Sequence, residues 1–143
     1  MARALGAVVT RDMVKTEGAG NTVNIEKALA EAMTIDGAVG VALVDYESGM
    51  TLGSIGGGGL LDLETAGAGN TEVVRAKMRT MAALQLNDQI EDILITLGKQ
   101  YHIIRPLSEG HGELFLYYVL DRARSNLALA RRHLRQVEQL IGA

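Results

Sequence analysis

Two nearly continuous apolar runs constrain the fold more strongly than any other feature of the sequence. Residues 38–46 read AVGVALVDY, and residues 113–120 read ELFLYYVL. Each run is short and is bounded by turn residues, which predicts a strand that is buried on both faces. Because a sheet of such strands cannot cover its own two apolar faces, helices must pack on it.

Three further runs complete the predicted sheet. Residues 50–55 follow a glycine turn as a hairpin partner of the first run, and the glycine and serine inside them suit a sheet edge. Residues 91–97 and 101–107 follow one another across a short turn, and another short turn leads to the run at 113–120. Turns this short predict an antiparallel meander. Pro106 must lie at a strand end or where no ladder hydrogen bond is needed.

Helical periodicity predicts three helices around these strands, which gives the order α-β-β-α-β-β-β-α and the class α+β. The first helix begins near Asn21, and its apolar face consists of Ile25, Ala28, Leu29, Ala32 and Met33. The last 20 residues form the third helix, whose predicted buried stripe consists of Ala123, Leu127, Ala130, Leu134, Val137 and Ile141.

The middle helix, over residues 62–86, has a stripe that is not purely apolar. Asn70, Lys77 and Gln85 fall within the arc formed by Leu63, Ala66, Val73, Val74, Met78, Met81 and Leu84. Burying an unpaired polar group costs on the order of 2–7 kcal/mol, so this face predicts a partner. Gly67 and Gly69 leave two interpretations open: a continuous helix that something approaches closely, which we favour, or a second helix beginning at residue 70 or 71.

Composition limits the chain to one domain and excludes several kinds of site. The 143 residues are 48% hydrophobic, which is enough for a core, and the net charge of −3 offers no general attraction to nucleic acid or anionic lipid. The absence of cysteine excludes disulfides and thiolate metal sites. No run approaches the ~18 apolar residues of a membrane span. We expect a soluble cytoplasmic protein with no membrane insertion.

The first 20 residues show no sustained period. We predict that residues 1–20 form a loosely ordered arm, with a short added strand or an extra helical turn as the alternatives. The folded domain is predicted to span residues 21–143.

No motif predicts catalysis, a cofactor or a metal site. The glycine run at 56–59 lacks the lysine and hydroxyl that a phosphate-binding loop places after it, and we interpret it as a linker. The residues around Ser54 lack the first glycine of a nucleophile elbow. His102, His111 and His133 have no second ligand four residues away, which leaves metal ligation unsupported.

Two groups of charged residues each allow two interpretations, a solvated surface or a contact with a partner. Asp88, Glu91 and Asp92 precede a strand, where acids form either a solvated edge or an edge used by a defined partner. The arginines of the last helix predict a solvated face, because the chain is net acidic and lacks interleaved aromatic residues for nucleic acid. An arginine supplied in trans to a bound GTPase is an alternative, although no feature singles one out.

Together these segments resemble the roadblock family, related to the dynein light chains, in its small bacterial branch. The resemblance covers residues 23–140 and is carried by residues 37–45 with the turn at Gly49, 62–84, 90–98 (IEDILITLG) and 113–121. It implies a five-stranded antiparallel sheet with the first and last helices on one face and the middle helix on the other. It also implies a dimer in which the third strand and the middle helix meet their counterparts, and a role as scaffold or regulator of Ras-like small GTPases or as an adaptor in motor complexes.

The residues and the resemblance together predict a non-catalytic homodimeric adaptor that binds a Ras-like small GTPase. The predicted dimer interface consists of Asn70, Val73, Val74, Lys77, Met78, Met81, Leu84, Ile93 and Ile95. Asn70 and Lys77 would then bond across a two-fold seam. The alternative is a small-ligand sensor domain, because sheets with helical covers often form pockets. An enzyme is not expected, since no nucleophile–base or metal constellation is seen.

Overall fold

The secondary structure follows the order that the sequence predicts. The computed structural model describes residues 8–9, 24–59, 61–108 and 112–141. Helix α1 occupies residues 24–32 of the described chain, and the other two helices are α2 (Leu63–Ala83) and α3 (Leu127–Leu140). The strands are β1 (Val8–Val9), β2 (Ala38–Asp45), β3 (Thr51–Gly56), β4 (Ile93–Thr96), β5 (Gln100–Pro106) and β6 (Leu114–Asp121).

All the strand pairs are antiparallel, and the strand order across the sheet is β1-β3-β2-β6-β5-β4. The five predicted strands are therefore confirmed, together with the order α-β-β-α-β-β-β-α. The strand β1 is an addition of two residues from the N-terminal arm, which pairs with the outer edge of β3. It corresponds to the short strand that the sequence left open as an alternative for residues 1–20.

The two faces of the sheet bury two separate apolar clusters. On one face, α1 and α3 pack over side chains such as Val41, Leu116 and Tyr118, and the Tyr118 hydroxyl donates a hydrogen bond to the Ala32 carbonyl. On the opposite face, α2 packs over side chains such as Tyr117. The central strands β2 and β6 are buried on both faces, as their continuous apolar runs predict.

Several predicted boundaries were wrong by a few residues, each for a local reason. Helix α2 ends at Ala83, short of residue 86, because Gln85 takes a φ of 57°, which is incompatible with a right-handed helix. Helix α3 begins only after Asn126, whose side chain accepts a hydrogen bond from the Leu129 amide as an N-cap. Ala123 accordingly lies exposed in a turn and is not part of the buried stripe. Pro106 ends β5, as predicted.

Candidate functional site

The outer face of α2 and the neighbouring strand β4 together carry exposed apolar side chains, among them Val73, Leu84 and Leu94. Helix α2 turns Leu63, Gly67, Thr71 and Val74 toward the sheet. The polar residues of the predicted stripe lie beside this line: Asn70 is half-buried and Lys77 is exposed. The helix therefore separates its stripe into an inner line that packs on the sheet and a flank that faces outward.

The nine predicted interface residues divide accordingly. Val74 is completely buried in the core under α2, so it offers no free surface. Met78, Ile93 and Ile95 are partly buried against the same core, whereas Val73 is 38% exposed and Leu84 is 62% exposed. The helix and strand residues are brought together in one groove of 530 Å³, whose lining includes Val73, Lys77, Met81 and Ile93.

The first half of α2 lies unusually close to the sheet because of one glycine. A β carbon added at Gly67 would lie 2.6 Å from the Thr51 Oγ1 and 3.1 Å from the Val44 Cγ2, whereas one added at Gly69 would meet nothing within 4 Å. The helix runs without a break from Leu63 to Ala83. Of the two interpretations that the glycines left open, the continuous helix with a close approach is the one observed.

The chain after α2 contains no helix or strand before β4, and two grooves lie beside it. Residues 85–92 lie between the end of the helix and the start of β4. One groove, of 590 Å³, lies between α2 and the end of β5 and is lined by Met78, Met81 and Pro106 among others. The groove of 530 Å³ lies on the β4 side. The segment between helix and strand therefore has apolar recesses on both sides.

Strand β4 is an open edge of the sheet. It pairs with β5, and in the described part of the chain no strand lies on its other side. Its sequence, ILIT, contains no charge and no proline. Ile93 and Ile95 point toward the α2 core, while Leu94 on the other face is 40% exposed. Natural sheets usually protect an edge of this kind by charge, proline or cover.

The acidic residues before β4 fix its position against α3. The Asp92 Oδ2 accepts a 2.7 Å hydrogen bond from the Arg131 Nε, and the Glu91 Oε1 lies 3.7 Å from the Arg135 NH1. The Asp92 side chain is only 10% exposed. The hydrogen bond with Asp92 raises the pKa of Arg131. The prediction of a solvated acidic edge was therefore wrong for Asp92, whereas Arg131 pairs with Asp92 and keeps 39% of its side chain exposed on the solvated face of α3.

A polar network lies beneath α2, next to the β4 edge. The His102 ring contacts the Gln100 Oε1 through Nε2 at 2.8 Å and the Tyr117 hydroxyl through Nδ1 at 2.9 Å. Burial lowers the pKa of His102, which favours the neutral ring. Burial raises the pKa of Tyr117, and a hydrogen bond from Asn70 opposes that rise. Asn70 therefore lies near the Tyr117 hydroxyl of its own chain.

One buried charge is not singled out by any of the sequence patterns above. Glu138 in α3 is 5% exposed and accepts hydrogen bonds from the Arg105 Nε at 2.7 Å and from the amide and hydroxyl of Ser108 at 2.9 and 2.7 Å. Burial raises the pKa of Glu138, but the bonds from Ser108 and Arg105 outweigh it and hold the pKa below its ordinary value. The sequence signal that could have revealed this residue is helical spacing. Glu138 lies four residues after the buried Leu134 and therefore on the same face of α3.

The other candidate motifs have structural explanations. In the glycine run, the Gly57 amide donates to the Val39 carbonyl, and the Asp62 carboxylate caps the first turn of α2. The N-terminus of that helix is therefore already occupied by an acid. The His133 Nε2 lies 2.8 Å from the Glu31 carbonyl oxygen, while His111 lies outside the described residues. Within the described ranges no three histidine, aspartate or glutamate side chains form a group that could hold a metal ion.

The architecture is the roadblock/LC7 fold, as the resemblance implied. A Roadblock/LC7 domain from Streptomyces avermitilis matches with a TM-score of 0.66 at 9% identity, covering 79% of this chain and 90% of that one. The gliding protein MglB from Thermus thermophilus matches with a TM-score of 0.71 at 14% identity, covering 86% and 89%. Myxococcus xanthus MglB matches with a TM-score of 0.67 at 19% identity, covering 82% and 84%.

These similarities define the fold alone, because each sequence identity is below 25%. No protein-family model and no curated protein sequence matches the chain. Among the helices that the structure describes, none is both long enough and apolar enough to cross a bilayer.

Proposed function

We propose that this chain is a non-catalytic homodimeric scaffold that binds and regulates a Ras-like small GTPase in the bacterial cytoplasm. One observation carries the dimer: among the described strands nothing pairs with the outer edge of the uncharged β4, which lies beside the exposed flank of α2 that holds Val73 and Leu84. The GTPase partner follows from the resemblance to the roadblock family. Two neighbours in fold are MglB proteins, one of them named a gliding protein, which is compatible with that class of function.

The dimer would join the β4 edges of two copies about a two-fold axis. In that arrangement the same patch meets itself, so the α2 flanks also come together. Val73 and Leu84 would lose their exposure, and the free backbone groups of β4 would pair with those of the second β4. We therefore retain seven of the nine predicted residues in the proposed interface: Val73, Lys77, Met78, Met81, Leu84, Ile93 and Ile95. We leave out Val74, which is already buried, and Asn70, which lies near Tyr117 of its own chain.

Replacing Met81 by glutamate tests this interface. Met81 lines both grooves beside α2, so a carboxylate there would be desolvated in the dimer, with the exposed Lys77 one turn away as its nearest basic neighbour on the helix. Desolvating a charge in an apolar interface costs several kcal/mol, and a net loss of about 3 kcal/mol corresponds to roughly a hundredfold rise in the dimer dissociation constant. We expect Met81→Glu to be monomeric by light scattering at concentrations where the unmodified chain is dimeric.

Ala68→Glu is the matched control. Ala68 is exposed, and helical geometry places it about 140° around α2 from Val73, away from the proposed seam. This variant should keep the mass of the unmodified chain, and both variants should keep their far-UV circular dichroism. A dimer that persists in Met81→Glu with unchanged affinity would contradict the proposed seam.

The GTPase partner is tested by affinity capture from the native cytoplasm. The unmodified chain as bait should recover a small GTPase, and preferably in one nucleotide state. If the GTPase docks on the composite surface of two copies, the Met81→Glu bait should recover much less of it, while Ala68→Glu should recover the same amount. Recovery of kinases or envelope proteins alone would contradict the GTPase proposal.

The grooves beside residues 85–92 favour a second candidate, a domain that senses a small ligand. At 590 and 530 Å³ they fall within the range of ligand pockets, and the apolar side chains of Met81, Leu86 and Ile90 line both of them. A thermal-shift screen separates the two candidates. A metabolite that raises the melting temperature without any protein partner would support the sensor.

A further inference from the structure

Neither edge strand of the five-stranded sheet carries the charges or the proline that often protect a sheet edge from pairing with other chains. The edge strands β3 and β4 read TLGSIG and ILIT, and neither contains a charged residue or a proline. Uncharged edges with free amide and carbonyl groups bind further strands readily. The proposed dimer would use the β4 edge, which leaves the β3 edge to be explained.

The N-terminal strand β1 occupies the centre of the β3 edge. Val8 pairs with Ser54, and Val9 pairs with Gly53. Since β3 spans Thr51–Gly56, the described residues of β1 leave two residues of β3 uncovered on each side of the pairing. Two residues are too few for a second strand to pair in a stable register, because a ladder needs several consecutive hydrogen bonds.

The two ends of β3 are also irregular. The pairing of β2 with β3 shifts register between Leu43 and Val44, where Leu52 is the extra residue on β3. At the other end, Gly56 takes a φ of 83°, which turns the chain away from the sheet. Bulges and bends of this kind hinder strand addition, but only at the ends of the edge. The regular centre, at Gly53 and Ser54, is the part that β1 covers.

We infer that Val8–Val9 blocks the β3 edge against a second copy of this chain and so confines self-association to the β4 edge. This inference rests on the proposed homodimer. A sheet with two usable edges has two interfaces, and joining copies alternately through β4 and β3 produces an open-ended array. With β3 covered, the assembly closes at two subunits. Two described residues of the arm thus determine how many copies assemble.

The test removes the backbone donors of β1 in the full-length chain. In Val8→Pro/Val9→Pro neither residue has an N–H group, whichever of the two donates to β3. The matched control, Val8→Thr/Val9→Thr, keeps both donors and the β-branched side chains. We expect the proline variant to exceed a dimer of the 15.3 kDa chain by light scattering, with a mass that increases with concentration. The threonine control should keep the unmodified mass.

Hydrogen exchange of the segment 51–56 is the second readout. In the proline variant its amides should exchange faster than in the control at low concentration, and they should regain protection as the mass rises. A proline variant that keeps the unmodified mass and the circular dichroism spectrum at every concentration would overturn the inference. Larger species without restored protection at 51–56 would also overturn it, because the new contact would then lie elsewhere.

A combination with Met81→Glu separates this inference from the proposed function. If both hold, Met81→Glu alone is a monomer, and the triple variant stops at a dimer formed through β3. If Met81→Glu alone stays dimeric, the proposed β4 seam fails. The mass and exchange of the proline variant then still report on the β3 edge.

Discussion

Gly67 and Gly69 provide a paired test of how α2 packs on the sheet. They lie two residues apart in one helix, and replacing either by alanine should gain about 1 kcal/mol of helix propensity. Gly69 has open space around it, so Gly69→Ala should show that gain. At Gly67 the new methyl group would lie 2.6 Å from the Thr51 Oγ1 and 3.1 Å from the Val44 Cγ2, well inside the usual ~3.5–4.0 Å contact distance.

The expected effects therefore differ in sign. Inserting a methyl group into a packed site costs about 1–3 kcal/mol, which cancels or exceeds the gain in propensity at Gly67. We expect Gly67→Ala to change the free energy of unfolding by about 0 to −2 kcal/mol, against about +1 kcal/mol for Gly69→Ala. Urea denaturation measures both, at one protein concentration because the stability of an oligomer depends on it.

A third variant identifies the contact responsible. The Thr51 Oγ1 is buried and has no hydrogen-bond partner among the described residues, so Thr51→Ala breaks no hydrogen bond. In the Thr51→Ala background, Gly67→Ala should lose most of its cost, with a coupling energy of about 1 kcal/mol. If Gly67→Ala stabilises the unmodified chain as much as Gly69→Ala does, a methyl group fits at Gly67 and α2 does not lie this close to β3.

Two further predictions concern pH. The folded pKa of Glu138 lies below its ordinary value of 4.5, so its contribution to the free energy of unfolding is present above pH 4.5 and is lost as pH falls through the folded pKa. Glu138→Gln should cost about 3 kcal/mol at pH 7 and should weaken the loss of stability at acid pH in a series of urea denaturations. An unchanged loss at acid pH would contradict the Arg105–Glu138 pairing. Burial lowers the pKa of His102 from 6.5, so below pH 6.5 the unfolded chain binds a proton more readily than the folded chain, and the free energy of unfolding should fall. His102→Gln should remove this part of the pH dependence. An identical pH profile in the variant would count against the buried neutral ring.

Much of the fold could be predicted because apolar periodicity is a local property. The runs at 38–46 and 113–120 indicated doubly buried strands, and the structure buries β2 and β6 on both faces. Element ends were less predictable, since single backbone conformations decide them: the φ of 57° at Gln85 shortens α2, and the N-cap Asn126 delays α3.

The candidate site could be predicted only in outline. Helical geometry placed Val74 and Lys77 in one stripe, but the sheet covers the first and leaves the second exposed. The pair of Asp92 with Arg131 joins residues 39 positions apart, which no local pattern encodes. The stripe predicted a second copy as the partner of Asn70, whereas the fold brings Asn70 near Tyr117 of β6 in the same chain.

The sequence by itself determined the order of elements, the number of strands in the main sheet and the need for helices on both of its faces, because each depends on the spacing of apolar residues along a few turns or strands. Only the tertiary structure decided which flank of α2 faces outward, that β4 keeps an open edge, and that two residues of the N-terminal arm cover β3. Those three features depend on how closely Gly67 lets the helix approach the sheet and on which strands become neighbours. Both are set by contacts between residues that are far apart in the chain.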